Sequence, residues 1–122
     1  MNILLSIHTV YADAIYDGKK LVEVRKTLPT KLAVGDKVYL YETSPKKLVT
    51  GYFTVNKVEK LDIKVFWKQY DAMLQNMMTD YISYLLGCRE AIAISVDAVV
   101  KFPEPKLLTI RPPQSWCYTE NL

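Results

Sequence analysis

A chain of 122 residues has room for one domain around one core, and its balance of 50% hydrophobic with 24% charged residues excludes a disordered or fibrous protein. The formal charge of +3 is unevenly placed, with ten Lys/Arg against six Asp/Glu in residues 1–60 and six against seven in residues 61–122, so the first half suits a polyanionic partner or simple solubility. The longest apolar run, Ala91 to Val100, holds Ser95 and Asp97 and falls short of the roughly 20 residues that cross a bilayer; "MNILLSIH" has neither the basic region nor the cleavage site of a secretory signal. A cytoplasmic protein with no membrane partner is expected.

Asn2 to Ile7 is a short apolar run that suits a buried strand. Thr9 is then placed to cap a short helix with Val10, Tyr11, Ala14 and Ile15 as its apolar stripe, and Gly18 falls where a helix-ending glycine belongs. From Lys20 to Lys26, Val22 and Val24 alternate with Glu23 and Arg25, the period of a half-buried strand that puts Glu23 and Arg25 on one face. Leu28-Pro29 stops it, Gly35-Asp36 turns the chain into a strand over Val38 to Glu42, and Pro45-Lys46 turns it again. Leu48 to Val58 makes a further strand with Gly51 at a bulge.

Asp62 then caps a helix with Ile63, Phe66, Trp67, Tyr70 and Leu74 on one stripe, and Thr79 with Asp80 starts another carrying Ile82, Leu85 and Leu86 as far as Gly87. Residues 61–87 are read as a helical structural insertion. "REAIAISVDAVVKF" alternates with Ile92, Ile94, Val96, Ala98 and Val100 on one face, and Pro112-Pro113 leaves the last segment extended. Strands separated by non-adjacent helices predict an α+β fold, a mixed and mostly antiparallel sheet curled into a small β-barrel with peripheral short helices.

Among motifs that carry chemistry, no phosphate-binding loop, dinucleotide fingerprint or nucleophile elbow is present. Cys88 and Cys117 lack a second Cys or His nearby and His8 is the only histidine, so zinc spacing is absent and neither metal nor cofactor is expected. What remains is polar material at strand ends and turns, where sites are built on rigid scaffolds: Ser6 and His8, then Lys20, Glu23 and Arg25, the turn Glu42-Thr43-Ser44, and Gln114 with Ser115. Taken alone, Glu23 and Arg25 are as well explained as a surface ion pair worth less than about 1 kcal/mol.

"LLSIHTVYADAIYDGKKLVEVRK" resembles the opening of the ASCH (activating-signal-cointegrator homology) domain, a branch of the PUA-like superfamily, with Gly18, Lys20, Glu23 and Arg25 in register with its G-x-K-x-x-E-x-R motif. "VGDKVYLYETSP" looks like its second strand and turn, and "RPPQSWCY" resembles the closing segment of small prokaryotic and phage members. The resemblance implies one PUA-like domain over residues 1–122 and an RNA or nucleotide-like ligand in a cleft lined by Ser6, His8, Lys20, Glu23, Arg25, Gln114 and Ser115, with Tyr41 or Trp116 as a stacking face. Some small ASCH proteins are amidohydrolases acting on N4-acetylcytidine through a lysine, a threonine and a glutamate. Lys20 matches that lysine, and Glu23 stands where they have threonine. Were this chain an enzyme on an acylated nucleoside or on RNA, Lys20 and Glu23 would be central. A pure interaction or regulatory module is a third reading that the resemblance implies, through family members that are transcriptional regulators. The sequence leaves the oligomeric state open, and a monomer is compatible with it.

Overall fold

The structure, a computed structural model, describes the backbone of residues 1–122 and the side chains of all but residues 75 and 76. Strand β1 (Asn2–Ile7) leads into helix α1 (Thr9–Tyr16), followed by β2 (Val22–Arg25), β3 (Lys37–Glu42) and the long β4 (Leu48–Asp62). Helix α2 (Ile63–Tyr70), a 3-10 segment (Ala72–Met77) and helix α3 (Met78–Tyr84) come next, then the long β5 (Glu90–Lys106) and the short β6 (Trp116–Thr119). The six strands form one sheet in the order β2-β5-β4-β3-β1-β6, with β1 and β3 parallel and the other neighbours antiparallel. Among the described residues no helix is long and apolar enough to cross a membrane.

The expected mixed, mostly antiparallel sheet is present, but it stays open rather than closing into a barrel. Its edge strands β2 and β6 hold four residues each and do not pair with one another. Side chains bridge that seam instead: Arg25 on β2 donates to the Ser6 carbonyl at 2.9 Å and to Ser115 Oγ at 3.3 Å, just before β6.

Local chemistry explains how the first elements are aimed. His8, not Thr9, is the N-cap of α1, and no side chain caps it. The helix ends at Gly18, whose φ of 74° lies in the left-handed region. Its N–H reaches the Ile15 carbonyl at 3.1 Å and the Lys19 N–H reaches Ala14 at 2.9 Å, the paired bonds of a Schellman end. That reversal sends Lys20 to Arg25 back along β5. At the bulge in β4, Gly51 lies where an added Cβ would sit 2.1 Å from the Val100 carbonyl oxygen, so only glycine permits this approach of β4 to β5.

Three apolar clusters hold the sheet. Ile3, Leu5, Leu40 and Phe53 pack under Ala12 and Ile15 of α1, while Leu4, Tyr39, Tyr41 and Val49 cluster separately with Tyr52 and Phe102. The residues read as an insertion build the third cluster: Phe66, Tyr70, Leu74, Tyr81 and Leu85 cover Val22, Val24, Ala91 and Ala93 of β2 and β5. A fully buried Phe66 contributes roughly 1.5–3 kcal/mol of transfer energy. Asp62 caps α2 as expected, its carboxylate accepting the Lys64 N–H at 2.9 Å.

Three stripes differ from expectation. Val10 of α1 is exposed, with Ala12 taking its place in the core. On α3 and its C-terminal end, Tyr81 and Leu85 face inward onto β2 and β5 while Ile82 and Leu86 are exposed. On β5 an extra residue at Ala98, φ 43°, breaks the alternation, and Val100 turns out to solvent.

Candidate nucleotide-binding cleft

At the open seam lies a cleft of about 370 Å³. Its floor comes from β2 (Glu23, Val24, Arg25), one wall from the end of β1 and the start of α1 (Ser6, Ile7, His8, Tyr11), and the other from α3 (Asp80, Tyr81, Tyr84). Thr43, after β3, and Gln114, before β6, complete the rim.

The floor is a buried ionic cluster. Lys20 and Glu23 are 3% and 4% exposed, so their pairing has to replace water. Lys20 Nζ donates to Glu23 Oε1 at 2.7 Å and to the Val22 carbonyl at 2.9 Å, and the Val24 N–H gives Oε1 a second bond at 2.9 Å. Glu23 Oε2 meets Arg25 Nη2 at 3.4 Å. Nζ also lies 5.9 Å and 5.4 Å from the ring centres of Tyr11 and Tyr81, within cation–π reach.

The electrostatics follow from these contacts. Burial pushes the Glu23 carboxyl up, but Lys20, Arg25 and the bonds it accepts outweigh burial and hold it below the usual carboxylate range. Glu23 is therefore ionised at neutral pH. Burial lowers the Lys20 ammonium, with Glu23 opposing that shift. Burial and the Asp80 carboxylate, which accepts the Tyr11 hydroxyl at 3.0 Å, raise Tyr11 above 10.0; Tyr81 is raised further, first by burial and then by Glu23. Tyr11 and Tyr81 therefore keep their phenolic protons at neutral pH.

Of the residues singled out from sequence, Ser6, His8, Glu23, Arg25 and Gln114 meet at the cleft. Lys20 does not line it; its ammonium sits against Glu23 from within. Ser115 does not line it either, but its Oγ accepts from Arg25 and its carbonyl takes the Ser6 N–H at 2.9 Å. The Ser6 hydroxyl donates to the Pro113 carbonyl at 2.6 Å, so the extended tail is tied to β1 beside the site. The expected stacking faces lie elsewhere: Tyr41 packs in the cluster with Leu4 and Tyr39, and Trp116 packs against the α1 core and Tyr118.

Sequence reasoning missed the aromatic wall. On the sequence, Tyr11 stands only on a helix stripe, and Asp80, Tyr81 and Tyr84 fall inside the structural insertion. The spacing of Tyr84 from Asp80 and Tyr81, four and three residues on along α3, is the available signal. Tyr84 is the outermost, with Lys26 Nζ 4.7 Å from its ring centre and the Lys26 N–H donating to its hydroxyl at 3.3 Å.

A buried Lys–Glu–Arg cluster beneath an aromatic-walled cleft is the arrangement of a candidate binding site on an open mixed sheet. The chain belongs to the ASCH domain family, whose model matches residues 5–102. It is 29% identical over 90 residues to an ASCH domain-containing ribonuclease of Zymomonas mobilis, covering 74% of this chain and 60% of that protein. It is also 30% identical over 106 residues to an ATP synthase subunit alpha of Ureaplasma parvum, covering 86% of this chain and 13% of that protein. The chain thus spans less than two thirds of these relatives' own length. The crystal structure of the ASCH protein from Zymomonas mobilis superimposes with a TM-score of 0.86 at 25% identity, covering 98% of this chain and 87% of that one.

Proposed function

We propose that the cleft binds single-stranded RNA, holding one unpaired nucleotide between the α3 wall and the β2 floor. The observation that carries this reading is the convergence of Arg25, His8, Glu23 and Gln114 with Tyr11 and Tyr84 on one open cleft. A guanidinium suits phosphate or carbonyl oxygens, tyrosine rings offer faces on which a base stacks, and the amide and carboxylate suit a base edge. The 29% identity to a protein named as an ASCH domain-containing ribonuclease supports the choice of RNA. Titrating fluorescein-labelled single-stranded RNA at two salt concentrations tests it. Affinity should fall as salt rises; absence of binding at low salt, for short RNAs and nucleosides alike, overturns it.

One observation favours cleavage as well as binding. His8 lies on the cleft wall with Nδ1 3.2 Å from Thr43 Oγ1. With its Nδ1–H donated to Thr43, Nε2 is left as a base. The proton of a ribose 2′-hydroxyl would pass to Nε2 as that oxygen bonds to phosphorus. The 5′-oxygen would leave and take a proton from water, with Arg25 offsetting the phosphate charge. Incubation with RNA should show cleavage by the wild type that His8→Ala loses, and a wild type no faster than His8→Ala removes this reading while leaving binding intact.

A further inference from the structure

The two oxygens of Glu23 are not equivalent. Oε1 is used up by the Lys20 ammonium and the Val24 N–H, at 2.7 Å and 2.9 Å. Oε2 has Arg25 Nη2 at 3.4 Å, a long contact, and so keeps acceptor capacity to spare. Glu23 is nearly fully buried and lines the cleft. Arg25 is its neighbour there. Of the guanidinium's N–H groups, those on Nη2 go to the Ser6 carbonyl and Glu23 and one on Nη1 goes to Ser115 Oγ, which leaves donors over. The floor therefore presents an anionic acceptor beside a cationic donor, both held rigidly: Arg25 by Ser6 and Ser115, Glu23 by Lys20 and Val24.

We infer that this pair reads the base, and that the base it selects is an unpaired guanine, whose N1–H and exocyclic amine would approach Glu23 Oε2 while O6 faces Arg25. The inference rests on the RNA reading above and adds its specificity. An anionic acceptor favours an edge with adjacent donors, and guanine alone of the four bases has a ring N–H next to an exocyclic amine. The ring N–H of uracil is flanked by two carbonyl oxygens, which a carboxylate repels. Adenine and cytosine offer an amine beside an acceptor nitrogen. Because Lys20 and Arg25 hold Glu23 ionised, the carboxylate accepts and does not donate at neutral pH. Lys20 is on this account a positioning residue, fixing the charge and aim of Glu23 without touching the ligand.

The test uses the wild-type chain and labelled uridine nonamers that differ only at the central nucleotide, followed by fluorescence anisotropy at low salt. Central guanosine should bind about tenfold or more tightly than all-uridine, the effect expected of hydrogen bonds to a charged group. N1-methylguanosine should lose that preference and inosine should lose part of it. Equal affinity for all nonamers overturns base reading and leaves RNA binding standing. A preference for adenosine or cytidine also overturns it. No binding by any nonamer removes both readings. Tyr84→Leu provides the control: its loss should weaken every nonamer alike and leave the guanosine ratio unchanged, whereas a changed ratio would move base reading from the floor to the wall.

Discussion

Glu23 and Glu42 are both buried in the same sheet, yet their surroundings are opposites. Glu23 is met by an ammonium, a backbone N–H and a guanidinium. Glu42, fully buried at the end of β3, has no hydrogen-bond partner for either oxygen among the described residues, and Lys46 Nζ stands 3.3 Å from Oε1 as its counter-charge. The difference separates two uses of a buried charge. The first is organised toward a cleft and costs stability only if one partner is removed. The second is tolerated, and its removal relieves the fold.

The sharpest way to break this comparison is to make the same substitution at both positions. Glu23→Met strands the buried Lys20 ammonium and should lower the unfolding free energy by about 3–5 kcal/mol in urea titrations. Glu42→Met leaves only Lys46, which is partly exposed and can turn to water. It should be neutral or stabilising by about 1–4 kcal/mol, with RNA affinity unchanged. Equal losses at the two positions would erase the distinction. Next in size, Arg25→Ala should weaken RNA binding by roughly tenfold, or about 1.4 kcal/mol, measured by anisotropy; unchanged affinity would detach the cluster from binding.

The smallest effect is on pH dependence. Glu23 is depressed in the folded state, so its contribution to stability is fully present above its ordinary value of 4.5 and is lost as pH falls through the lower folded value. Urea midpoints measured down the acid limb should therefore drop for the wild type, and the part of that drop due to Glu23 should be missing from Glu23→Gln. An identical acid limb in the two proteins would assign the transition to other carboxylates.

How much of this was legible in the sequence follows the range of the forces. Gly18, the turn after α1 and the strand carrying Glu23 and Arg25 depend on neighbours a few residues away, and their signals are local. The same period-2 pattern made Glu23 and Arg25 a solvated face. What buries that face is α1 and α3, from distant parts of the chain, and no local period reports them. The edge strand β6 was missed for the same reason: Pro112-Pro113 announces an extended segment, while its pairing with β1 is a contact across the whole chain. The aromatic wall is hidden because Tyr81 faces inward and Ile82 faces out, a choice set by what α3 packs against and not by its own sequence period. Barrel closure is expected because so short a chain has little else with which to cover two sheet faces, and because the PUA-like resemblance implies it. The sheet stays open, with β2 and β6 at its two edges, and the cleft lies at the seam between them.

The most direct test of the central claim is amide chemical-shift mapping of the isotopically labelled chain during titration with a short single-stranded RNA. The account predicts the largest shifts at residues 6–8, 23–26, 43, 80–84 and 113–115, around the seam, with the separate cluster of Tyr39, Tyr52 and Phe102 little changed. Shifts confined to another surface, such as the exposed lysines Lys57, Lys60 and Lys64, or no shifts at all, would contradict it.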